Sequence, residues 1–418
     1  MDFKDLSARI IPQKALPSAM KPAIFIGMNH LGITRSWPVI TLGLLLLLSV
    51  GGCSMVFPII APFEDIPAPT GSYGVGTRTD CLVDSSREEF FTPEPDFRRL
   101  VTQVWYPISR QIVSSRAPYI EYPQYRVPAL AKQLRLPKSF IQHIQTVRSN
   151  STPGADALNN GSSFPLILFS HGLGGMRFQN TALLEDLASY GYIVVAVDHS
   201  YDANVVVFNP HDLAEYKAGK KRVLTADQLA LLDTRQLEYR VADLCYLLDE
   251  IESPTTPPIF SDLPIDRDQI GVLGHSLGGT TILAAMSRDL RIDAGMILDG
   301  WYEPLPDSIV IQGLRKPIMH LGQLQWSQPL NYARMDSLFE KNSAPSYKVL
   351  LPQTLHTDFT DMPLFTPFSN LIGYTGSREP LRVLAFTRST TKAFFDTYLK
   401  GQPATELIGL LDTQAVVF

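Results

Sequence analysis

At 418 residues and 45% hydrophobic content, the chain can form one large α/β domain with extensions, and its net charge of −5 leaves no general basic field. With a pI of about 5.9 it is not built to bind nucleic acid. The cysteines, Cys53, Cys81 and Cys245, lack C-x-x-C or Cys/His spacing. That argues against a structural zinc site and leaves a Cys81–Cys245 disulfide open; no metal and no other cofactor is expected.

Residues 37–50, WPVITLGLLLLLSV, form an apolar run between Arg35 and Gly51-Gly52-Cys53, the arrangement of a secretory signal with small residues at its cut site. The run is short for a membrane span. Val50-Gly51-Gly52-Cys53 also resembles a bacterial lipobox, in which Cys53 is lipidated and becomes the mature N-terminus. Export to a bacterial envelope as a lipid-anchored protein is the expectation, with a plain signal peptide or an uncleaved anchor as alternatives. The leader is long, and Met20 or Met28 would give a more ordinary start. This reading divides the chain into a leader (1–52), a Pro-rich linker (53–71), a main domain (72–402) and a C-terminal tail (403–418).

Residues 99–106, RLVTQVWY, read as a strand ended by Pro107. Residues 122–148 carry Arg126, Lys132, Arg135, Lys138 and Arg148 among apolar side chains, with no acid between Glu121 and Asp156. Such a segment is an interfacial element on an anionic membrane, a lid, or an ordinary surface helix. A polar loop at 149–163 follows. Short apolar strands then alternate with helical patterns: strands at 164–170, 192–198, 270–273, 295–300, 316–321 and 346–352, helices at 180–190, 231–251, 279–288 and 389–399. This alternation predicts an α/β fold with a mainly parallel sheet covered on both faces, whose site lies at the carboxyl ends of the strands. The polar insertion at 209–229 reads as a loop or small helical excursion.

Chemistry concentrates in four places. Gly274-His275-Ser276-Leu277-Gly278 is a G-x-S-x-G between a strand and a helix, the nucleophile elbow of α/β-hydrolases. A turn this tight strains the Ser276 backbone and requires small residues two before and two after it. Ser170-His171-Gly172-Leu173-Gly174-Gly175 follows the first central strand as an HGGG-like oxyanion loop, so the N–H groups of Leu173 and Leu277 are the expected oxyanion donors. A phosphate-cradling loop would need a G-K-[ST] or G-x-G-x-x-G, and neither is present. For the remaining roles the chain order serine, carboxylate, histidine selects Asp299, at the end of the first strand after the elbow. It leaves His320 and His356 as bases. His320 lies inside an apolar strand, where a packed core histidine is expected; His356 follows the last strand on a polar loop and is the expected base.

Together FSHGLGG, GHSLGG, LDGW and LHTDFTDMPLF, four motifs in the right order between Gly71 and Gly401, resemble the isoform II (plasma-type) platelet-activating-factor acetylhydrolases and their bacterial relatives. The resemblance implies an α/β-hydrolase fold and a calcium-independent serine esterase that removes short or oxidised acyl chains from phospholipids. In it Ser276, Asp299 and His356 form the triad. Leu277 stands where these enzymes often carry phenylalanine, a change that spares the N–H and alters the acyl pocket. The alternatives are a broad-specificity esterase, lipase or cutinase-like polyester hydrolase, and a non-catalytic envelope lipoprotein.

Overall fold

A computed structural model describes residues 65–92, 95–110, 115–217 and 226–417. Cys53, the leader and most of the linker lie outside the described residues, as does part of the 209–229 insertion. In chain order the elements are β1 (Gly74–Glu88), β2 (Phe97–Ile108), α1 (Pro123–Gln133), α2 (Lys138–Ile141), β3 (Thr152–Pro153), β4 (Phe164–Ser170), α3 (Thr181–Ser189), β5 (Ile193–Asp198), β6 (Val205–Asn209) and β7 (Asp212–Glu215). There follow α4 (Ala226–Glu252), β8 (Ile265–His275), α5 (Leu277–Arg288), β9 (Ala294–Leu298), α6 (Asp307–Gln312), β10 (Ile318–Gln323), α7 (Pro329–Lys341), β11 (Ser346–Leu351), α8 (Pro380–Tyr398) and α9 (Thr405–Val417).

The main sheet runs β11-β10-β9-β8-β4-β5-β2-β1-β3. From β11 to β5 all neighbours are parallel; β2 is antiparallel to both β5 and β1. The central strands are apolar throughout because both faces are covered. Period-two alternation divides them between two cores: Ile167 and Phe169 of β4 and Val194 and Ala196 of β5 face one. Leu166, Leu168, Ile193, Val195 and Val197 face the other. Each fully buried Leu, Ile, Val or Phe contributes about 1.5–3 kcal/mol, so these alternating strands stabilise both cores.

Several features depart from the sequence reading. The 122–148 segment does not offer an apolar face outward. Val127, Leu130, Leu134, Ile141, Ile144 and Val147 are buried in the protein's own core, and Arg126 is buried against Asp198 at 2.9 Å. The apolar side of its amphipathic pattern is thus packed against the protein's own core, the arrangement of an ordinary surface helix. The segment nonetheless touches the oxyanion loop, where a Cβ on Gly174 would lie 3.0 Å from Gln133 Nε2.

The end of the linker is anchored rather than loose. Ile66 is buried, Arg388 donates to Pro67 O and Ala68 O, and Thr70 N donates to Asp186 Oδ1. Likewise the 403–418 segment, expected as a tail, holds α9, whose Leu407 is buried in the core. The first part of the insertion pairs as the β6–β7 hairpin. Cys81 and Cys245 are both free. Among the described residues no helix is long and apolar enough to cross a membrane.

Candidate active site

The elbow is built by close approach. A Cβ on Gly274 would fall 2.3 Å from Gly278 O, and one on Gly278 would fall 2.0 Å from Ser170 O. Neither position tolerates a side chain. The turn they permit holds Ser276 at φ 57°, ψ −121°, a strained conformation for a residue with a Cβ. Ser276 N donates to Leu298 O and Trp301 N to Ser276 O, which ties the turn to the end of β9. Thr280 Oγ1 also donates to Trp301 O. Thus the LDGW motif braces the elbow.

The oxyanion loop lies against the serine. A Cβ on Gly172 would sit 3.2 Å from Ser276 Cβ and 3.0 Å from His275 Nδ1. Gly174 turns the chain with φ +68°, a conformation that L side chains rarely adopt. Leu277 opens α5, where the N–H groups of the first turn have no intrahelical acceptor and the helix dipole favours negative charge. His171 beside the loop is neutral: its Nε2 accepts from His199 N at 3.1 Å, so Nδ1–H donates to Gly172 O at 2.6 Å. Burial pushes this imidazole down to about 3.

Asp299 and His356 meet at 2.6 Å between Oδ2 and Nδ1. Asp299 stands just beyond β9 at φ 43° and is fully buried, with its remaining capacity filled by Gln323 N, Gln323 Nε2 and Trp326 Nε1 at 2.9, 2.9 and 3.2 Å. Burial alone would raise its carboxyl; the bond from His356 and that ring's charge outweigh it and hold the group below the usual carboxylate value. The His356 side chain is 35% exposed, so a ring braced on one edge meets solvent on the other.

His356 is held from behind as well. The His275 ring packs on it with centroids 4.5 Å apart and its Nε2–H donates to His356 O at 3.1 Å, while Gln179 Nε2 donates to His275 Nδ1. Burial pushes His275 down to about 3, which keeps a second positive charge away from His356. Asn180 Nδ2 donates to Phe359 O at 2.7 Å, and Asp358 Oδ2 accepts from Leu355 N and Gly376 N. The Ser276 hydroxyl has no hydrogen-bond partner among the described residues. A Ser276–His356 bond is the contact that the expected triad chemistry would have to close, as is common before substrate binds.

His320 lies elsewhere. It is fully buried in β10, bonded to the Tyr302 hydroxyl at 2.9 Å, and pushed by burial down to about 4. The supporting residues Gln323, Trp326 and Gln179 escaped the sequence reading, as did the supporting role of His275 in the elbow motif. Gln323 had one signal, a polar side chain at the carboxyl end of an apolar strand. Among the described residues no group of three His, Cys, Asp or Glu side chains is placed to hold a metal ion.

Comparison with known proteins gives a consistent result. The family model "Platelet-activating factor acetylhydrolase, isoform II" matches residues 59–256 and 260–403. Platelet-activating factor acetylhydrolase of Bos taurus is 30% identical over 360 residues, covering 80% of this chain and 77% of that protein. Its counterpart in Canis lupus familiaris is 28% identical, covering 74% and 70%. Among solved structures, a ferulic acid esterase from Streptomyces cinnamoneus superposes with a TM-score of 0.68 at 29% identity, covering 82% of this chain and 95% of that one.

Proposed function

Since this chain belongs to the isoform II family of platelet-activating factor acetylhydrolases and is a carboxylic ester hydrolase, we propose that it cleaves short or oxidised acyl esters of phospholipids through Ser276, His356 and Asp299. His356 Nε2 takes the Ser276 proton as Oγ attacks the acyl carbonyl, and the N–H groups of Leu173 and Leu277 receive the oxyanion. Asp299 keeps the proton of the resting ring on Nδ1 and stabilises the imidazolium that forms. The imidazolium then protonates the departing lysolipid alkoxide. Water attacks the acyl-enzyme by the same route and releases the short carboxylic acid.

The observation that carries this reading is the 2.6 Å bond between His356 and a buried, fully bonded Asp299, at the strand end to which Ser276 N is bonded. The likeness to a ferulic acid esterase favours a second reading, an esterase that accepts aromatic as well as lipid acyl groups. Turnover of phosphatidylcholines graded in sn-2 chain length, run beside feruloyl esters, separates the two. The first reading expects turnover to fall steeply with acyl length and feruloyl esters to be poor substrates; preference for the feruloyl ester would overturn it. Export and lipidation at Cys53 are proposed on the sequence alone, and mass spectrometry of the mature N-terminus tests them.

A further inference from the structure

Behind the oxyanion loop lies a second serine–histidine–aspartate set that the proposed mechanism leaves unused. Ser170, His199 and Asp243 are all fully buried, with Ser170 Oγ 3.0 Å from His199 Nε2 and His199 Nδ1 2.8 Å from Asp243 Oδ2. Sealed from solvent, this set has no route to a substrate. Its effect is to fix proton directions: Asp243 takes the Nδ1–H of His199, so Nε2 accepts the Ser170 proton and the hydroxyl oxygen is left as an acceptor.

That acceptor faces Arg240. From α4 the buried guanidinium donates to Ser170 Oγ at 3.1 Å, Thr281 Oγ1 at 3.0 Å, Asp202 Oδ2 at 2.7 Å and His171 O. Three of these four bonds lead to the segments that carry the expected oxyanion donors. Thr281 Oγ1 passes its own proton to Leu277 O at 2.9 Å, on the helix that presents the Leu277 N–H. Either side of Leu173, the His171 carbonyl is held by Arg240 and the Gly174 N–H by Asp202 O at 3.0 Å. Asp202 is fixed in turn by Arg240 and by Gln236 Nε2 at 2.6 Å.

We propose that Arg240 is a positioning residue of the oxyanion hole: one buried guanidinium sets the loop bearing the Leu173 N–H against the helix bearing the Leu277 N–H. It touches no reacting atom. The proposal rests on the reading of Ser276 as nucleophile. Oxyanion donors act only when aimed at the charge that develops in the transition state, so slackening this brace lowers kcat and leaves KM.

The test uses Arg240→Lys, which keeps the charge but loses the fork, and Asp202→Asn as a second variant should the first not fold. Active sites are counted by endpoint labelling with a fluorophosphonate. kcat and KM are measured on a soluble short-chain ester, and Ki on a trifluoromethyl ketone that forms a hemiketal oxyanion on the serine. The expected result is an unchanged KM, a kcat per labelled site lower by about 10- to 100-fold, and a Ki raised by the same factor; outright removal of a donor costs about 10²–10³. Wild-type kcat per labelled site in a folded variant, whatever its melting temperature, would overturn the proposal, as would a lowered kcat with an unchanged Ki. A wild type that takes up no fluorophosphonate fails at the earlier step and overturns the assignment of Ser276 itself.

Discussion

The two serine–histidine–aspartate sets share the histidine–aspartate bond and differ in much of what surrounds it. Ser276 sits on a strained turn and His356 is partly exposed, whereas Ser170 ends a central strand and His199 has no exposure. Asp299 is surrounded by neutral donors besides its histidine; Asp243 is bonded to Arg98 and Arg87 as well as to His199. Burial, with the nearby Arg240 charge, pushes His199 down to about 3, so it cannot take up a proton near neutral pH. What separates the two sets is access: a histidine that meets solvent in one and a sealed histidine in the other, although both hold a histidine on an aspartate.

Substitutions in the first set are expected to remove chemistry and spare the fold. Ser276→Ala should lower kcat on the order of a million-fold, a magnitude taken from another serine hydrolase, with an unchanged circular dichroism spectrum. Asp299→Asn should cost about 10⁴-fold through loss of the correct tautomer, read as kcat on a short-chain ester. Either variant retaining near-wild-type kcat would place the reaction elsewhere.

In the second set the balance reverses. Asp243→Asn leaves Arg98 short of a buried partner, and breaking such a pair costs about 3–5 kcal/mol, measured as a shift in urea midpoint. The surviving folded fraction should still carry a labelable Ser276. A loss of kcat per labelled site with no loss of stability would contradict the division of roles.

A separate effect, on stability rather than on chemistry, follows from pH. His171, His199 and His275 are pushed down to about 3 and His320 to about 4, all by burial, against an unfolded value near 6.5. Between those limits the unfolded chain binds protons that the folded one does not. Stability is thus fully present above about pH 6.5 and lost as pH falls towards 3, on the order of 1 kcal/mol per pH unit for each histidine. Asp361, whose burial pushes its carboxyl up to about 8, titrates in the opposite sense and offsets one of the four. Thermal melts between pH 7 and 4 should show the falling melting temperature; a flat profile would mean that the histidines are not held neutral.

How much of this was legible in the sequence depended on what constrains each part. The elbow announces itself because backbone packing forbids a Cβ at Gly274 and Gly278, and the oxyanion loop because a Cβ at Gly172 would crowd the His275 and Ser276 side chains. The central strands do so because burial on both faces demands continuous apolar runs. By contrast β1 is polar along much of its length, with Asp84, Ser85, Ser86 and Arg87 in a row, and gave no strand signal. Helix α7 buries only Asn331, Met335 and Leu338, too few to mark a stripe. Residues 199, 240 and 243 carry no local motif and meet Ser170, the first residue of the oxyanion-loop motif, only through the fold, so the buried set could be seen only in three dimensions.

The comparison is tested most directly by mapping where a fluorophosphonate reacts. The wild-type protein is labelled under native conditions, digested, and its peptides are analysed by mass spectrometry. The account predicts a phosphonate adduct on the peptide containing Ser276 and an unmodified peptide containing Ser170. An adduct on Ser170, or none on Ser276, would contradict it.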